Sequence, residues 1–358
     1  MKRILLLILA LLFMLPAPAQ AAGNTIWLAT AANRNYAGEI TNENFEKSLA
    51  AAGELGKLVF SPTPRPRTWI MDAALLEDVQ FLIDNESTLA TNWLKQLKSI
   101  SSGDTIYATA YGNPDVIYLN SIAPTELNFY YAVGLQHLQA VLLKNVLSEK
   151  GSRYAWKRAK IDENVRAFFN SSRQEFTHIS TVVNPKEVET ERARIAQLFS
   201  PQLTVSERFA LLQDFEKGQS EVINKLRIVS GRYQITTSNE KIPITLVNDF
   251  DAPVKVDLFF TPLNNRVVFP EYRQITLNAR SKIQVSVPIK TVAAGDTNVI
   301  ARFENGKGKV VGTNGMIELT STIISPAVSR FTTGAGLLLI LAAVAQSVRR
   351  VRKNRADK

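Results

Sequence analysis

Two apolar segments at the ends of the chain constrain what it can fold into more than any feature between them. The first, Met1–Ala21, starts with Lys2 and Arg3, continues as a short apolar run, and ends in a small-residue pattern at 19–21. This order is typical of a cleaved signal peptide, and the apolar run is short for a membrane span. The sequence therefore predicts a signal peptide over residues 1–21, with a retained N-terminal anchor as the alternative.

The second segment, Phe331–Val348, runs into a basic tail at 349–358. A helix of this length covers about 27 Å, close to the thickness of a bilayer core. Clustered cations beside a span are typical of its cytoplasmic end. We therefore expect a transmembrane helix at 331–348, a cytoplasmic tail, and a single-pass cell-membrane protein with its body outside the cytoplasm. A buried core helix is the alternative.

The charge and the rare residue types exclude several classes of function. The formal charge is +10, but the two ends carry most of it, so the body is close to neutral and nucleic acid is not an expected partner. The chain has no cysteine, which excludes disulfides and thiolate metal sites. With only His137 and His178 present, we expect no multi-histidine metal centre and no cofactor. Both histidines are expected to be ordinary, partly buried side chains.

Short apolar runs alternate with amphipathic helical patterns over residues 22–183. Strands are predicted at Ile26–Thr30, Thr68–Met71 and Thr105–Ala110, with two more at Tyr154–Arg158 and His178–Val183. Such alternation is typical of an α/β domain with a parallel sheet. Five strands are too few for an eight-stranded barrel, so we expect a partial barrel or a small parallel sheet interrupted by helical segments.

A helical connector is predicted at 184–227, where Thr204-Val-Ser-Glu207 has the pattern of a capping box. From 228 to 325, about seven short runs rich in Val, Ile and Thr are separated by turn residues. This spacing is typical of an all-β immunoglobulin-like sandwich. The predicted order is thus signal peptide, α/β domain, connector, sandwich and membrane helix.

Three segments and their order carry a family resemblance. They are Trp69–Val79 (WIMDAALLEDV), Trp93-Leu94 followed by Tyr107–Val116 (YATAYGNPDV), and Ile244–Val254 (ITLVNDFDAPV). Together with the apolar C-terminal segment and its arginine-rich tail, they resemble an actinobacterial family of secreted, membrane-anchored envelope glycoproteins of unknown function. Genes of that family often neighbour the lipid II flippase, so the resemblance implies a role linked to cell-wall assembly. The present chain resembles a shortened form.

The candidate site residues follow predicted strands of the α/β domain. Asp72 follows the strand at Thr68, and Tyr111, Asn113 and Asp115 follow the strand at Thr105. Ligands collect at the carboxyl ends of parallel strands, so these residues are candidates for ligand binding. Helix capping by the two aspartates, and acid–base catalysis by them, are the alternatives. Trp156 is a further candidate, as a stacking platform for a sugar, or else a core residue.

Two functions from different classes remain open. The first is an extracytoplasmic binding or scaffolding protein, with a wall glycan or an envelope protein as partner. The second is a glycan-active hydrolase or deacetylase, active or degenerate, in which Asp72 and Asp115 would act as acid and base. The absence of phosphate-loop, dinucleotide, metal and nucleophile-elbow motifs favours the non-enzymatic hypothesis.

Overall fold

The computed structural model describes residues 24–150, 158–322 and 326–356. The predicted signal peptide, and most of the strand predicted at Tyr154–Arg158, lie outside these residues. The chain divides into two compact units, one formed by Met1–Asn170 with Glu189–Gly218 and the other by Ser171–Val188 with Gln219–Lys358. The boundaries drawn from the sequence at 183 and 227 stay a prediction.

The first unit contains a four-stranded, all-parallel sheet in the order β1-β2-β3-β4. Its strands are β1 (Asn24–Leu28), β2 (Arg67–Met71), β3 (Thr105–Ala108) and β4 (Leu147–Ser148). Trp69, Ile70 and Met71 of β2 are all fully buried. A strand buried on both faces is typical of a parallel sheet covered by helices, so the predicted α/β region with a small parallel sheet is confirmed.

Helices surround this sheet, and two of them match the helical segments that apolar spacing predicts at Ala73–Ile83 and Leu89–Ile100 to within one residue. The α-helices of the chain up to Ile223 are α1 (Phe45–Ser48), α2 (Glu54–Phe60), α3 (Ala73–Asp84), α4 (Thr88–Ile100), α5 (Val116–Ile122), α6 (Pro124–Leu142), α7 (Glu163–Ile179), α8 (Glu189–Arg194) and α9 (Val205–Ile223). Short 3-10 helices at Pro185–Glu187 and Ile195–Phe199 flank α8. The strand predicted at His178–Val183 is wrong, because α7 continues through His178 to Ile179.

The described residues of the second unit form nine strands. They are β5 (Leu226–Ile228), β6 (Gly231–Ile235), β7 (Asn239–Asn248), β8 (Val254–Pro262), β9 (Val267–Val268), β10 (Tyr272–Leu277), β11 (Ser281–Thr291), β12 (Gly295–Glu304) and β13 (Val310–Ser321). In β12, Thr297, Val299, Ala301 and Phe303 are buried while the residues between them are not. This period of two places one face of the strand in the core.

These nine strands form one continuous curled sheet, whereas the sequence predicted an immunoglobulin-like sandwich of about seven strands. The link is β5, which pairs antiparallel with β7 and parallel with β13. Gly312 and Gly315 of β13 make this link possible. A Cβ atom at Gly312 would lie 2.2 Å from the carbonyl oxygen of Leu226, and one at Gly315 would lie 2.8 Å from the Ile228 side chain.

The C-terminal segment forms a helix, α10 (Pro326–Ala356), but the predicted transmembrane helix is wrong. Among the described residues, no helix combines the length and the apolar character needed to cross a membrane. The uninterrupted apolar run, Leu337–Ala345, has nine residues and covers only about 14 Å of helix, against about 30 Å of bilayer core. The predictions of a membrane partner and of a single-pass localisation depended on this span and are therefore also wrong.

Candidate functional site

Asp72 lies at the carboxyl end of β2, as the sequence predicted, and forms the N-cap of α3. Its side chain is buried, and Oδ1 accepts hydrogen bonds from the backbone N–H groups of Ala74 (3.1 Å) and Gly112 (2.8 Å). Its own N–H donates to the carbonyl oxygen of Leu28 at 2.9 Å. Asp72 therefore joins the ends of β1 and β2 to the turn that follows β3.

Burial raises the pKa of the Asp72 carboxyl to about 7, although the N–H groups of Gly112 and Ala74 act in the opposite direction. The nearby acidic groups of Asp78 and Glu77 also raise this pKa. A carboxyl group that changes protonation near neutral pH is a recognised feature of functional sites.

The turn after β3 has a special backbone. Gly112 and Asn113 have φ values of 76° and 44°, and the N–H of Asn113 donates to the carbonyl oxygen of Ala110 at 2.9 Å. A Cβ atom at Gly112 would lie 2.6 Å from the Gln197 side chain, so this position combines positive φ with close packing. The turn aims the Gly112 N–H at Asp72 and leaves Asn113 half-buried.

Asp115 is fully buried and forms the N-cap of α5 through Oδ1, which accepts from the N–H of Tyr118 at 2.9 Å. Its Oδ2 accepts from Nε of Arg158 at 3.0 Å and from the N–H of Ala159 at 2.9 Å. Asp115 thus has a set of partners separate from that of Asp72. Trp156, the remaining candidate, lies outside the described residues.

Tyr111 belongs to a cluster that the sequence did not predict. Its buried hydroxyl donates to Oε2 of Glu77 at 2.6 Å, and the other oxygen of Glu77 bonds Nδ1 of His137. The opposite ring nitrogen, Nε2, lies 3.7 Å from a carboxylate oxygen of Glu189. The Tyr111 and His137 rings meet edge to face with centroids 5.8 Å apart. These contacts join α3, the β3 turn, α6 and α8.

The pKa values of His137 and Tyr111 in this cluster differ from their ordinary values. The hydrogen bond that His137 donates to Glu77 raises the pKa of His137, while partial burial opposes this change. Burial, followed by the charge of Glu77, raises the pKa of Tyr111 well above its usual 10. His137 was predicted to be an ordinary partly buried histidine, and in sequence it stands 60 residues from Glu77. The only local signal was its place beside the apolar stripe of its helix.

Arg194, at the end of α8, binds the loop that follows β1. Its guanidinium group donates to the carbonyl oxygens of Arg34 (3.3 Å), Asn35 (2.5 Å) and Tyr36 (3.0 Å). The same group lies 5.7 Å from the ring centroids of both Tyr36 and Phe215. Arg194 therefore orders the loop backbone by charge-assisted hydrogen bonds and cation–π contacts.

The same loop borders a cavity of about 550 Å³ beyond the carboxyl end of β1. Its polar lining residues are Asn35, Thr41, Asn42, Glu43, Asn44, Glu207 and Asp214. Its apolar lining residues are Ala31, Ala32, Leu203, Ala210 and Leu211. Within the described part of the chain, amides, hydroxyls and carboxylates form its polar wall, with no lysine or arginine among them.

Comparison with known proteins identifies the family. A family model matches residues 136–355, which is more than half of the chain. The chain belongs to DUF6049, a family of unknown function. The prediction of an uncharacterised family is confirmed, while the actinobacterial source and the link to the lipid II flippase stay predictions. The match contains the Ile244–Val254 segment, His137 and Glu189, but it begins after Asp115. No curated protein matches the chain.

Several solved structures resemble part of this DUF6049 chain. A C. elegans MSP family member is 10% identical, covers 28% of this chain and 99% of its own, and has a TM-score of 0.22. The E. coli chaperone DraB is 16% identical over 29% of this chain and 56% of its own, with a TM-score of 0.20. The CARDB domain of a Pyrococcus furiosus protein is 7% identical over 27% of this chain and 91% of its own, also with a TM-score of 0.20. Likenesses at this level carry no argument about function.

Proposed function

We propose that this protein is a non-catalytic binding and scaffolding protein, and that its α/β unit binds a hydroxyl-rich ligand of the glycan class. The observation that carries this proposal is the cavity at the carboxyl end of β1. Ligands of parallel α/β folds bind at this edge of the sheet. The wall offers carboxylate and amide oxygens as acceptors and amide N–H groups as donors, which match sugar hydroxyls.

Glu43 and Asn44 are the two wall residues that are best placed for ligand contact. Asn42 and Asp214 are occupied within the fold, since Asn42 bonds Asn33 and Asp214 accepts from the N–H of Tyr36. Glu43 and Asn44 are exposed, and within the described residues neither side chain has an assigned hydrogen bond. Their polar atoms therefore meet a ligand without first breaking internal contacts.

The alternative function, a glycan-active hydrolase or deacetylase, requires Asp72 and Asp115 to reach a substrate. Both carboxylates are buried, and each accepts a backbone N–H as a helix cap and a second backbone N–H from another segment. Neither belongs to the wall of the cavity beyond β1. These contacts favour binding over paired-carboxylate catalysis. The family resemblance suggests a cell-wall glycan as the source of the ligand, and this too is part of the proposal.

Isothermal titration calorimetry tests this function. The full chain is titrated with an N-acetylglucosamine tetramer and, separately, with a glucose hexamer. We expect one of the two to bind, and the double variant Glu43→Gln/Asn44→Ala to bind at least about tenfold more weakly. Glu54→Gln is the matched control, because Glu54 is an exposed carboxylate on α2 that does not line the cavity. The proposal fails if neither glycan binds, or if the double variant binds as tightly as the control.

A further inference from the structure

His137 lies between two carboxylates that come from different helices. On one side it bonds Glu77 of α3, and on the other it faces Glu189, the first residue of α8. A neutral imidazole carries a single N–H, so it can donate to only one of these carboxylates. The doubly protonated ring presents an N–H to each side: it donates to Glu77 and, at 3.7 Å, makes an ion pair with Glu189. The arrangement is therefore complete only when His137 is protonated.

Other charged groups around α6 are occupied elsewhere. On α8, Arg192 makes a bidentate ion pair with Glu126 of α6, with both N–H···O distances at 2.7 Å. Beyond β4, Glu149 accepts from the hydroxyl of Tyr131 at 3.5 Å. The remaining titratable side chains on elements packed against α6 are Glu191 of α8, Asp84 of α3, Tyr107 of β3 and Tyr118 of α5, and no described contact joins any of them to His137.

Asp78 of α3 completes the electrostatic surroundings. It pairs with Arg34 at 2.6 Å and accepts from Asn33 at 3.0 Å, so its charge is directed to the loop after β1. The groups that respond directly to the charge of His137 are thus Glu77 and Glu189, with Tyr111 sharing Glu77. When His137 loses its proton, one N–H donor and one positive charge are lost. The contact with Glu189 is the longer of its two carboxylate contacts and therefore the weaker.

α8 connects this histidine to the cavity. The helix has six residues, with Glu189 at its start and Arg194 at its end. Arg194 holds the carbonyl oxygens of residues 34 to 36, and Asn35 of that loop lines the cavity. Because α8 is so short, a displacement of Glu189 at its start is transmitted along the helix backbone to Arg194 at its end.

We propose that His137 is a pH-sensitive latch for the cavity: protonated, it holds the start of α8 through Glu189, and α8 in turn holds the 34–36 loop through Arg194. As His137 loses its proton, the Glu189 contact weakens, the loop backbone opens more often, and ligand binding weakens. This inference rests on the proposed binding function of the cavity only for its effect on affinity. The effect on the loop itself exists with or without a ligand.

The direction of the pH dependence follows from the contacts. The Glu77 hydrogen bond raises the pKa of His137 above its ordinary 6.5. A group with a raised folded-state pKa stabilises the fold fully below its unfolded pKa and loses that contribution as the pH rises through the folded value. The latch is therefore closed below about pH 6.5 and opens in the range above it.

Two ligand-free measurements on the full chain test the latch. Because the chain has only two histidines, NMR titration of the imidazole C–H signals resolves His137 and His178 separately. We expect His137 to titrate above 6.5, and Glu189→Gln to lower its pKa. Amide hydrogen exchange at pH 5.5 and 8.0, corrected for intrinsic rates, should show several-fold lower protection of residues 34–36 and 189–199 at the higher pH.

Matched variants separate the latch from a purely structural role. His137→Gln should show the low protection at both pH values, and Glu189→Gln should lose most of the pH effect. His178→Gln, the control, should behave as the unaltered chain. The latch is overturned if protection of these segments does not depend on pH, or if His137→Gln keeps the dependence. If the exchange results hold while neither glycan binds, the latch stands and the proposed ligand fails.

Discussion

At the scale of single residues, Asp72 shows how burial alters a group that the sequence marked for more than one role. Capping, ligand binding and catalysis were all open at this position. The structure shows the capping contacts with Ala74 and Gly112, and burial raises the pKa of the carboxyl to about 7. A ligand-binding role for Asp72, Tyr111, Asn113, Asp115 and Trp156 stays a prediction.

Asp72→Asn should change how stability depends on pH. The carboxyl has a pKa of 3.8 when unperturbed and about 7 when folded, so its stabilising contribution is complete below 3.8 and is lost as the pH rises to about 7. Asn keeps an acceptor oxygen for the two N–H groups but never ionises. Between pH 4 and pH 8 we expect the variant to gain roughly 2–4 kcal/mol relative to the unaltered chain.

Urea unfolding at pH 4, 5.5 and 8, followed by tryptophan fluorescence, measures this difference. Asp84→Asn is the matched control, because Asp84 is an exposed carboxylate at the other end of the same helix. Equal pH dependence in the unaltered chain and in Asp72→Asn would show that Asp72 titrates as an ordinary carboxyl.

At the scale of elements, α6 depends on a glycine for its approach to β3. A Cβ atom at Gly134 would lie 2.4 Å from the carbonyl oxygen of Thr109 and 3.0 Å from the N–H nitrogen of Tyr111. Alanine is more favourable than glycine in a helix interior by about 1 kcal/mol. Here, however, the added methyl group would clash with backbone atoms, which cannot move away by a change of rotamer. Gly134→Ala should therefore lower the free energy of unfolding by roughly 1–3 kcal/mol.

The same experiment has an internal reference. A Cβ atom at Gly306 would meet no atom within 4 Å, so Gly306→Ala should change the free energy of unfolding by less than about 0.5 kcal/mol. A stabilised Gly134→Ala variant would mean that α6 moves away from β3 at little cost. The Tyr111 turn, and with it the His137 cluster, would then be less rigidly placed than these contacts imply.

The capping box at the start of α9 is a second test at this scale, and its prediction from the sequence is confirmed. The N–H and hydroxyl of Thr204 donate to Glu207, and the N–H of Glu207 donates back to the Thr204 hydroxyl. Thr204→Ala should cost about 1 kcal/mol. Glu207→Gln keeps the reciprocal geometry and should cost less, and circular dichroism during chemical unfolding compares the two.

At the scale of the whole molecule, α10 adds little to the packed core where its side chains are described. Leu338 and Leu339 are 69% and 72% exposed, and the neighbouring leucines are also largely in contact with solvent. Ending the chain at Thr322 should therefore leave the midpoint of thermal unfolding within about 2 °C of that of the full chain. Differential scanning calorimetry on both forms makes the comparison.

A drop of more than about 5 °C would show that α10 packs on the rest of the chain. The exposed leucines also predict that the full chain self-associates more readily than the shortened one, because contiguous apolar surface favours association. Sedimentation velocity at matched concentrations measures this. Similar association of the two forms would contradict the exposure of these side chains.

The elements that the sequence determined alone are those specified by neighbouring residues. Helices α3 and α4 were predicted to within one residue because their apolar residues recur at helical spacing, and for α3 Asp72 also stands at the capping position. Strand β2 was found because an apolar run follows a proline-rich loop. The change to β-structure, predicted to begin at residue 228, was clear from alternation and turn residues, all of which act within a few positions.

Tertiary structure decided the features that depend on residues far apart. The first residues of the run at His178 belong to a helix, in which Phe176 and Ile179 are buried at helical spacing, and this burial is not revealed by the local pattern. Strand β5 joins nine strands into one sheet only because Gly312 and Gly315 allow close backbone approach. The apolar C-terminal run looked sufficient for a membrane span by its total length, but its uninterrupted part is too short. Glu77, Tyr111, His137 and Glu189 meet from four elements, and hydrogen bonding between such distant residues leaves no periodic trace in a sequence.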